Sequence, residues 1–166
     1  MGKLERMLHH LCTPRWRLRL AFPAATLEVI EREIRDSERL HGGEVRFAVE
    51  AALPLPALWR GTTAHERAVD LFSHLRMWDT NERNGVLIYL LLADRSVEIV
   101  ADRGVHALAG QTHWGHVCRR MQRAFSHGSY ERGAASAVRM VSRMLARHYP
   151  PMAGRPNELP DKVVVL

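Results

Sequence analysis

Asn84-Gly-Val-Leu-Ile-Tyr-Leu-Leu-Leu-Ala-Asp-Arg-Ser-Val-Glu-Ile-Val-Ala-Asp102 is the stretch that decides the fold. It opens on Asn84-Gly85, a turn-forming pair. The apolar run Val86 to Leu92 follows, too short for the roughly 20 residues of a membrane span and well suited to a buried strand. Asp94-Arg95 makes a polar corner. Beyond it Val97, Ile99 and Ala101 alternate with Ser96 and Glu98, which predicts a half-exposed strand returning antiparallel to the first.

Upstream, Glu44 to Glu50 also alternates, with Val45, Phe47 and Val49 on one face, and predicts a third strand. Before it, Pro23 starts a helix carrying Leu27, Ile30 and Ile34 at helical spacing, and Gly42-Gly43 stops it. Pro54 and Pro56 break the chain. Thr63-Ala-His-Glu66 is a capping-box pattern that opens a second helix to Met77. Downstream, helices are expected over Gly110–Phe125 and Tyr130–Tyr149, with Val163–Leu166 as a candidate edge strand. A helix joins the Glu44 strand to the Val86 strand, so those two should be parallel. The Val86 strand is apolar on both faces and therefore central, with helices on each side. The expected fold is α/β, a three-layer α/β/α sandwich with a small mixed sheet. The expected organisation is an N-terminal arm over residues 1–22, one domain over 23–150 and a tail over 151–166.

The arm places Leu4, Met7, Leu8 and Leu11 on one helical face, then interleaves Arg15, Arg17 and Arg19 with Trp16, Leu18 and Leu20. Such a segment suits an anionic membrane surface or a protein partner, and the alternative is an arm packed on its own domain. The chain has 166 residues and a formal charge of +6. Nearly all of its basicity is arginine, since Lys3 and Lys162 are the only lysines, a bias that fits base composition better than nucleic-acid binding. Cys12 and Cys118 are far apart and form no CxxC, as in a reduced compartment. With neither a signal-peptide pattern nor a membrane span in the sequence, the expected location is the cytoplasm, with peripheral placement at the inner membrane as the variant the arm allows.

Six stretches in order resemble the TPM domain, a family of bacterial envelope proteins and plant proteins tied to photosystem II repair. They are Glu44-Val-Arg-Phe-Ala-Val, Ala68-Val-Asp-Leu-Phe, Asn84-Gly-Val-Leu-Ile, Ala93-Asp-Arg-Ser-Val-Glu-Ile, Asp102-Arg-Gly-Val and Phe125-Ser-His-Gly-Ser-Tyr-Glu-Arg-Gly. The resemblance spans residues 24–149 and implies the fold just derived. It implies divalent-cation binding or weak acid phosphatase activity for some members, and no known activity for many. Typical members carry a signal peptide and often a membrane anchor, which this chain does not show.

The antiparallel hairpin brings the start of one strand beside the end of the next, so the loops around 79–84 and 102–106 should meet. Asp79, Asn81, Glu82, Asn84 and Asp102 would offer oxygen ligands to calcium or magnesium there. The family often has an acidic residue where this chain has Arg83, and Gly-Leu-Glu-Gly where it has Gly104-Val-His-Ala. Arg83, Arg103 and His106 suit an anion instead. The carboxyl ends of the parallel strands are the usual site in such sheets, yet Glu50 and Asp94-Arg95 form no reactive cluster in sequence. His113, His116, Cys118 and His106 are a weaker zinc combination. No nucleophile or nucleotide-loop motif occurs. The leading expectation is a non-enzymatic accessory or interaction domain, with an unidentified protein as partner, a membrane protein among the candidates. The alternative is a metal-dependent acid phosphatase or phosphate-binding domain.

Overall fold

A computed structural model describes residues 2–151 and 158–166. Strands β1 (Glu44–Glu50), β2 (Gly85–Leu91), β3 (Ser96–Ala101) and β4 (Val164–Val165) form one sheet in the order β3-β2-β1-β4. β1 and β2 run parallel, with Glu44 opposite Gly85 and Glu50 opposite Leu91. β3 returns antiparallel to β2, and β4 lies parallel to β1. The side chains of β2 from Val86 to Leu91 are 2% exposed or less, so this strand is the centre of the molecule. Each such aliphatic side chain contributes roughly 1.5–3 kcal/mol through burial.

Among the described residues the helices are α1 (Lys3–Leu11), α2 (Arg15–Ala21), α3 (Ala24–Glu38), α4 (Leu55–Arg60), α5 (Ala64–His74), α6 (Arg103–Ser126) and α7 (Tyr130–His148). The period-2 rule assigns the two faces. Phe47, Ile88 and Leu90 pack with Ile30 of α3, Met121 of α6 and Val141 of α7. Ala48, Leu87, Tyr89 and Leu91 pack with α4 and α5. Helices therefore cover both faces of a mixed four-stranded sheet, as expected.

The charged positions of β1 are buried as well. Glu50 accepts a forked pair from Arg67 at 2.9 and 3.1 Å and a 2.7 Å bond from Tyr89. Glu44 accepts the N–H groups of Glu158 and Leu159 at 3.2 Å each. These bonds satisfy carboxylates that burial would otherwise penalise. The C-terminal segment is thus tied down from Glu158 onward, while residues 152–157, part of the expected tail, lie outside the described residues.

Several boundaries differ from the sequence reading, among them the end of α5 at His74 instead of Met77. Pro54 does not simply break the chain: it is the N-cap of α4, with Pro56 in the first turn, where a missing N–H costs little. α6 begins at Arg103 instead of Gly110, because Asp102 caps it by accepting the N–H of Arg103 at 2.5 Å. Gly110, at φ 70° and ψ 158°, is non-helical and kinks α6 into two helical segments, the second of which starts where the sequence predicts a helix. The Thr63–Glu66 capping box forms reciprocally, at 3.1 and 2.7 Å. Among the described residues, the non-glycine positions with left-handed backbone are Arg76, Arg83 and Arg95, at φ 53°, 51° and 50°.

α1 and α2 lie against the domain. Asp94 accepts Arg6 Nη2 at 2.8 Å and contacts His10 Nε2 at 2.9 Å. His10 is buried, and its Nδ1 accepts the Leu53 N–H at 3.0 Å. A ring nitrogen that accepts carries no proton, so Nε2 is the donor to Asp94. Leu18 and Phe22 enter the core, where Phe22 meets Tyr130 and Phe125 at ring-centroid distances of 5.4 and 6.1 Å. Among the described residues, no helix is long and apolar enough to cross a membrane.

Candidate functional site

The open end of the β2–β3 hairpin is where the sequence placed its candidate ligands. Asn84 is not an exposed turn residue. It is fully buried, its Nδ2 donates to the Gly42 carbonyl at 2.7 Å and to Glu82 Oε2 at 3.2 Å, and its N–H donates to Thr80 Oγ1 at 3.1 Å. Asn84 therefore braces the approach to β2 against the approach to β1. Gly85 is required for a different reason: a Cβ there would sit 2.3 Å from the Met77 carbonyl oxygen. The Asn-Gly pair is a packing device, which corrects its reading as a turn.

Asp102 lies across from it, at the end of β3. One carboxylate oxygen caps α6, while Oδ2 is buried and has no hydrogen-bond partner among the described residues. Asn84 Oδ1 is buried and unbonded in the same way. Tyr149 closes the corner. Its hydroxyl is raised above the ordinary tyrosine range by burial, then by the charges of Glu82 and Asp102, which places all three close together. A Cβ on Gly104 would lie 2.8 Å from the Arg83 carbonyl oxygen and 2.9 Å from the Tyr149 hydroxyl, so backbone oxygen is also at hand.

The remaining candidates stand apart from this pocket of oxygens. Asp79 and Asn81 are exposed, and the Asn81 N–H is spent on Glu158 Oε2 at 3.1 Å. Arg83, Arg103 and His106 are exposed, so no cation is buried at the corner to receive an anion. Sequence reasoning missed Tyr149, Thr80 and the Gly42 carbonyl. Tyr149 lies 47 positions beyond Asp102 at the end of a helix, and no local spacing signals it.

The zinc combination does not assemble. Among the described residues no three His, Cys, Asp or Glu side chains come together as a metal would require. His113 packs on Trp114 with ring centroids 5.3 Å apart, and burial lowers its pKa. Burial pushes the Cys118 thiol up to about 11, and His116 and His106 are exposed. A half-buried thiol held protonated at neutral pH is packing, not a ligand. The oxygens at the hairpin corner are of the type that hard cations take, with two carboxylates, Glu82 and Asp102, among them.

The second candidate surface is the N-terminal one. On α1, Leu4, Leu8 and Leu11 are 72, 53 and 61% exposed, and on α2 Trp16 and Leu20 are 57 and 73% exposed. Arg15, Arg17 and Arg19 are exposed beside them, with Arg17 5.8 Å from the centroid of the Trp16 ring. Glu5 is the only acidic residue in the two helices. The missed residues here are Arg6, His10 and Asp94, which hold this surface in place.

Comparison with known proteins bears on the scaffold. The sequence model of the TPM domain matches residues 21–144. The solution structure of BA42 protein from the psychrophilic bacterium Bizionia argentinensis is similar at 26% identity and a TM-score of 0.76, over 87% of this chain and 95% of that one. The N-terminal domain of a P. gingivalis protein shares the fold, at 23% identity and a TM-score of 0.58, over 76% of this chain and 77% of that one. No curated protein sequence matches the chain. With the family match covering most of the residues and the sheet, helix order and hairpin in place, the chain belongs to the TPM domain family.

Proposed function

We propose that the protein is a non-enzymatic TPM-type interaction domain. It works at an anionic membrane surface, on the lipid or on a protein embedded there, in the upkeep of an envelope or membrane-protein complex. One observation carries this reading: α1 and α2 leave Leu4, Leu8, Leu11, Trp16 and Leu20 exposed, flanked by Lys3, Arg15, Arg17 and Arg19, while buried bonds to Asp94 fix α1 on the domain. A fixed apolar stripe with cations around it suits the boundary of an anionic bilayer, where each basic residue near the surface contributes about 1 kcal/mol.

The test is co-sedimentation of the full chain with phosphatidylglycerol vesicles, with phosphatidylcholine vesicles as control. The triple variant Leu4→Ser, Leu8→Ser, Leu11→Ser touches exposed side chains only, so its fold is retained. Removing residues 1–22 is a poorer test, because it takes Leu18 and Phe22 out of the core. Salt-sensitive sedimentation of the parent chain and its loss in the triple variant support the reading. Equal sedimentation of the two proteins, or none by either, overturns it.

A second reading rests on the unbonded buried oxygens Asn84 Oδ1 and Asp102 Oδ2. With Glu82 and nearby carbonyls they would hold calcium or magnesium, and the bound cation would supply the charge that phosphate recognition or hydrolysis needs. Amide shifts confined to residues 79–84 and 102–106 on titration with either ion support it. An absence of shifts at millimolar ion removes it.

A further inference from the structure

At the other end of the sheet, a cleft of about 910 Å³ opens between α2, the C-terminal end of α6 and the turn after β2. It lies at the carboxyl ends of the parallel strands β1 and β2, where open α/β sheets place their ligands. The volume is within the roughly 300–1,000 Å³ of small-molecule pockets. Its floor is apolar, made by Leu90, Leu92, Ala93 and Phe125. Its basic lining is Arg17, Arg95 and His9, and no aspartate or glutamate lines it. Among the described residues neither Arg17 nor Arg95 has an ion-pair partner, and the neighbouring Asp94 is already occupied by Arg6 and His10.

We infer that this cleft binds a long-chain carboxylate, with the acyl chain on the Leu90–Phe125 floor and the carboxylate between Arg17 and Arg95. Charge complementarity selects an anion. A guanidinium pairs with a carboxylate through two parallel hydrogen bonds, and two unpaired guanidiniums lie at the rim. The floor selects a hydrocarbon chain. A polypeptide strand is disfavoured, because β2 is already paired on both sides by β1 and β3 and has no free edge to extend. An acyl chain has no backbone groups to satisfy and loses nothing there. Trp16, Arg17 and Leu20 of the membrane-facing surface also line this cleft, whereas Leu4, Leu8 and Leu11 do not, so the two readings separate at those leucines.

The test is titration of the full chain with laurate below its micelle concentration, read by amide shifts and calorimetry, with dodecanol as the uncharged control. Saturable one-to-one binding is expected, with shifts at Leu90, Leu92, Ala93 and Phe125 and much weaker binding of dodecanol. Arg17→Ala with Arg95→Gly removes both charges. Arg95 already has a φ that glycine accepts, so that change does not threaten the turn. The double variant should lose at least about tenfold in affinity. Ser126→Trp, on the exposed wall of the cleft, should block binding in a chain that keeps its melting temperature. The leucine triple variant should bind laurate normally, which separates failure of this inference from failure of the membrane-surface reading. Non-saturable binding, equal affinity in the double variant, or the same shifts evoked by an acidic amphipathic peptide but not by laurate would overturn it.

Discussion

Asp94→Ala is the most informative single substitution. The Asp94 side chain is 11% exposed and receives Arg6, 20% exposed, and His10, 1% exposed. Removing the carboxylate strands the His10 Nε2–H in the interior, which costs about 1–3 kcal/mol. It also removes a forked pair to a largely covered arginine, worth about a further 1 kcal/mol. The sum is about 2–4 kcal/mol, a fall in melting temperature of roughly 5–12 °C for a domain of this size. Asp94→Asn keeps an acceptor for His10 and should lose only about 1 kcal/mol. The local readout is amide exchange at Leu53, whose N–H rests on His10 Nδ1 and should exchange freely once the imidazole is released. Burial acts to raise the Asp94 pKa, but the bonds from Arg6 and His10 outweigh it and hold the carboxyl below its ordinary value. The clasp is therefore complete above the usual carboxylate range and is lost as pH falls through the depressed value. If Asp94→Ala melts within 2 °C of the parent chain and leaves Leu53 protected, the clasp does not hold α1, and the case for a fixed N-terminal surface fails.

Two further substitutions test other parts of the account. Gly85→Ala drives a Cβ to 2.3 Å from the Met77 carbonyl oxygen, a backbone atom that cannot swing away, and should cost about 3 kcal/mol in urea unfolding; an unchanged midpoint would refute the packing role of the Asn-Gly pair. Burial, then the charges of Glu44 and Asp161, pushes the Glu38 carboxyl up to about 9 from 4.5. The folded chain keeps that proton while the unfolded chain loses it, so Glu38 subtracts stability as pH rises above 4.5. Glu38→Gln should thus leave stability unchanged at pH 4 and raise it by about 1–3 kcal/mol at pH 7; equal effects at both pH values would refute the buried protonated acid.

Much of the scaffold is legible in the residues, because burial on one or two faces leaves its mark at the period of each element. Val86 to Leu92 announces a central strand, and Thr63 and Glu66 announce a helix start. Asp102 shows where such reading stops. Its side chain caps a helix and also faces the hairpin corner, and only the first role has a local signal. The sequence makes it a ligand through the meeting of the two hairpin loops and starts a helix only at Gly110, where the structure has a kink between two helical segments. In the sequence Asp94 reads as half of a plain turn, because its partners, Arg6 and His10, precede it by more than 80 residues. The cleft near it has no motif at all. It exists because α2, the end of α6 and the turn after β2 come together, a matter of tertiary placement that no window of sequence contains.

Arg76, Arg83 and Arg95 hold left-handed backbone that costs a non-glycine residue roughly 1 kcal/mol each. Every arginine codon is one base change from a glycine codon. The chain thus lies three single-base steps from a more stable version of itself, by a route that leaves its core untouched. Retention of arginine at these turns across natural variants would mark charge under selection there, and drift to glycine would mark turns that serve the fold alone. At Arg95, on the rim of the cleft, those two histories give opposite answers about whether the positive charge matters.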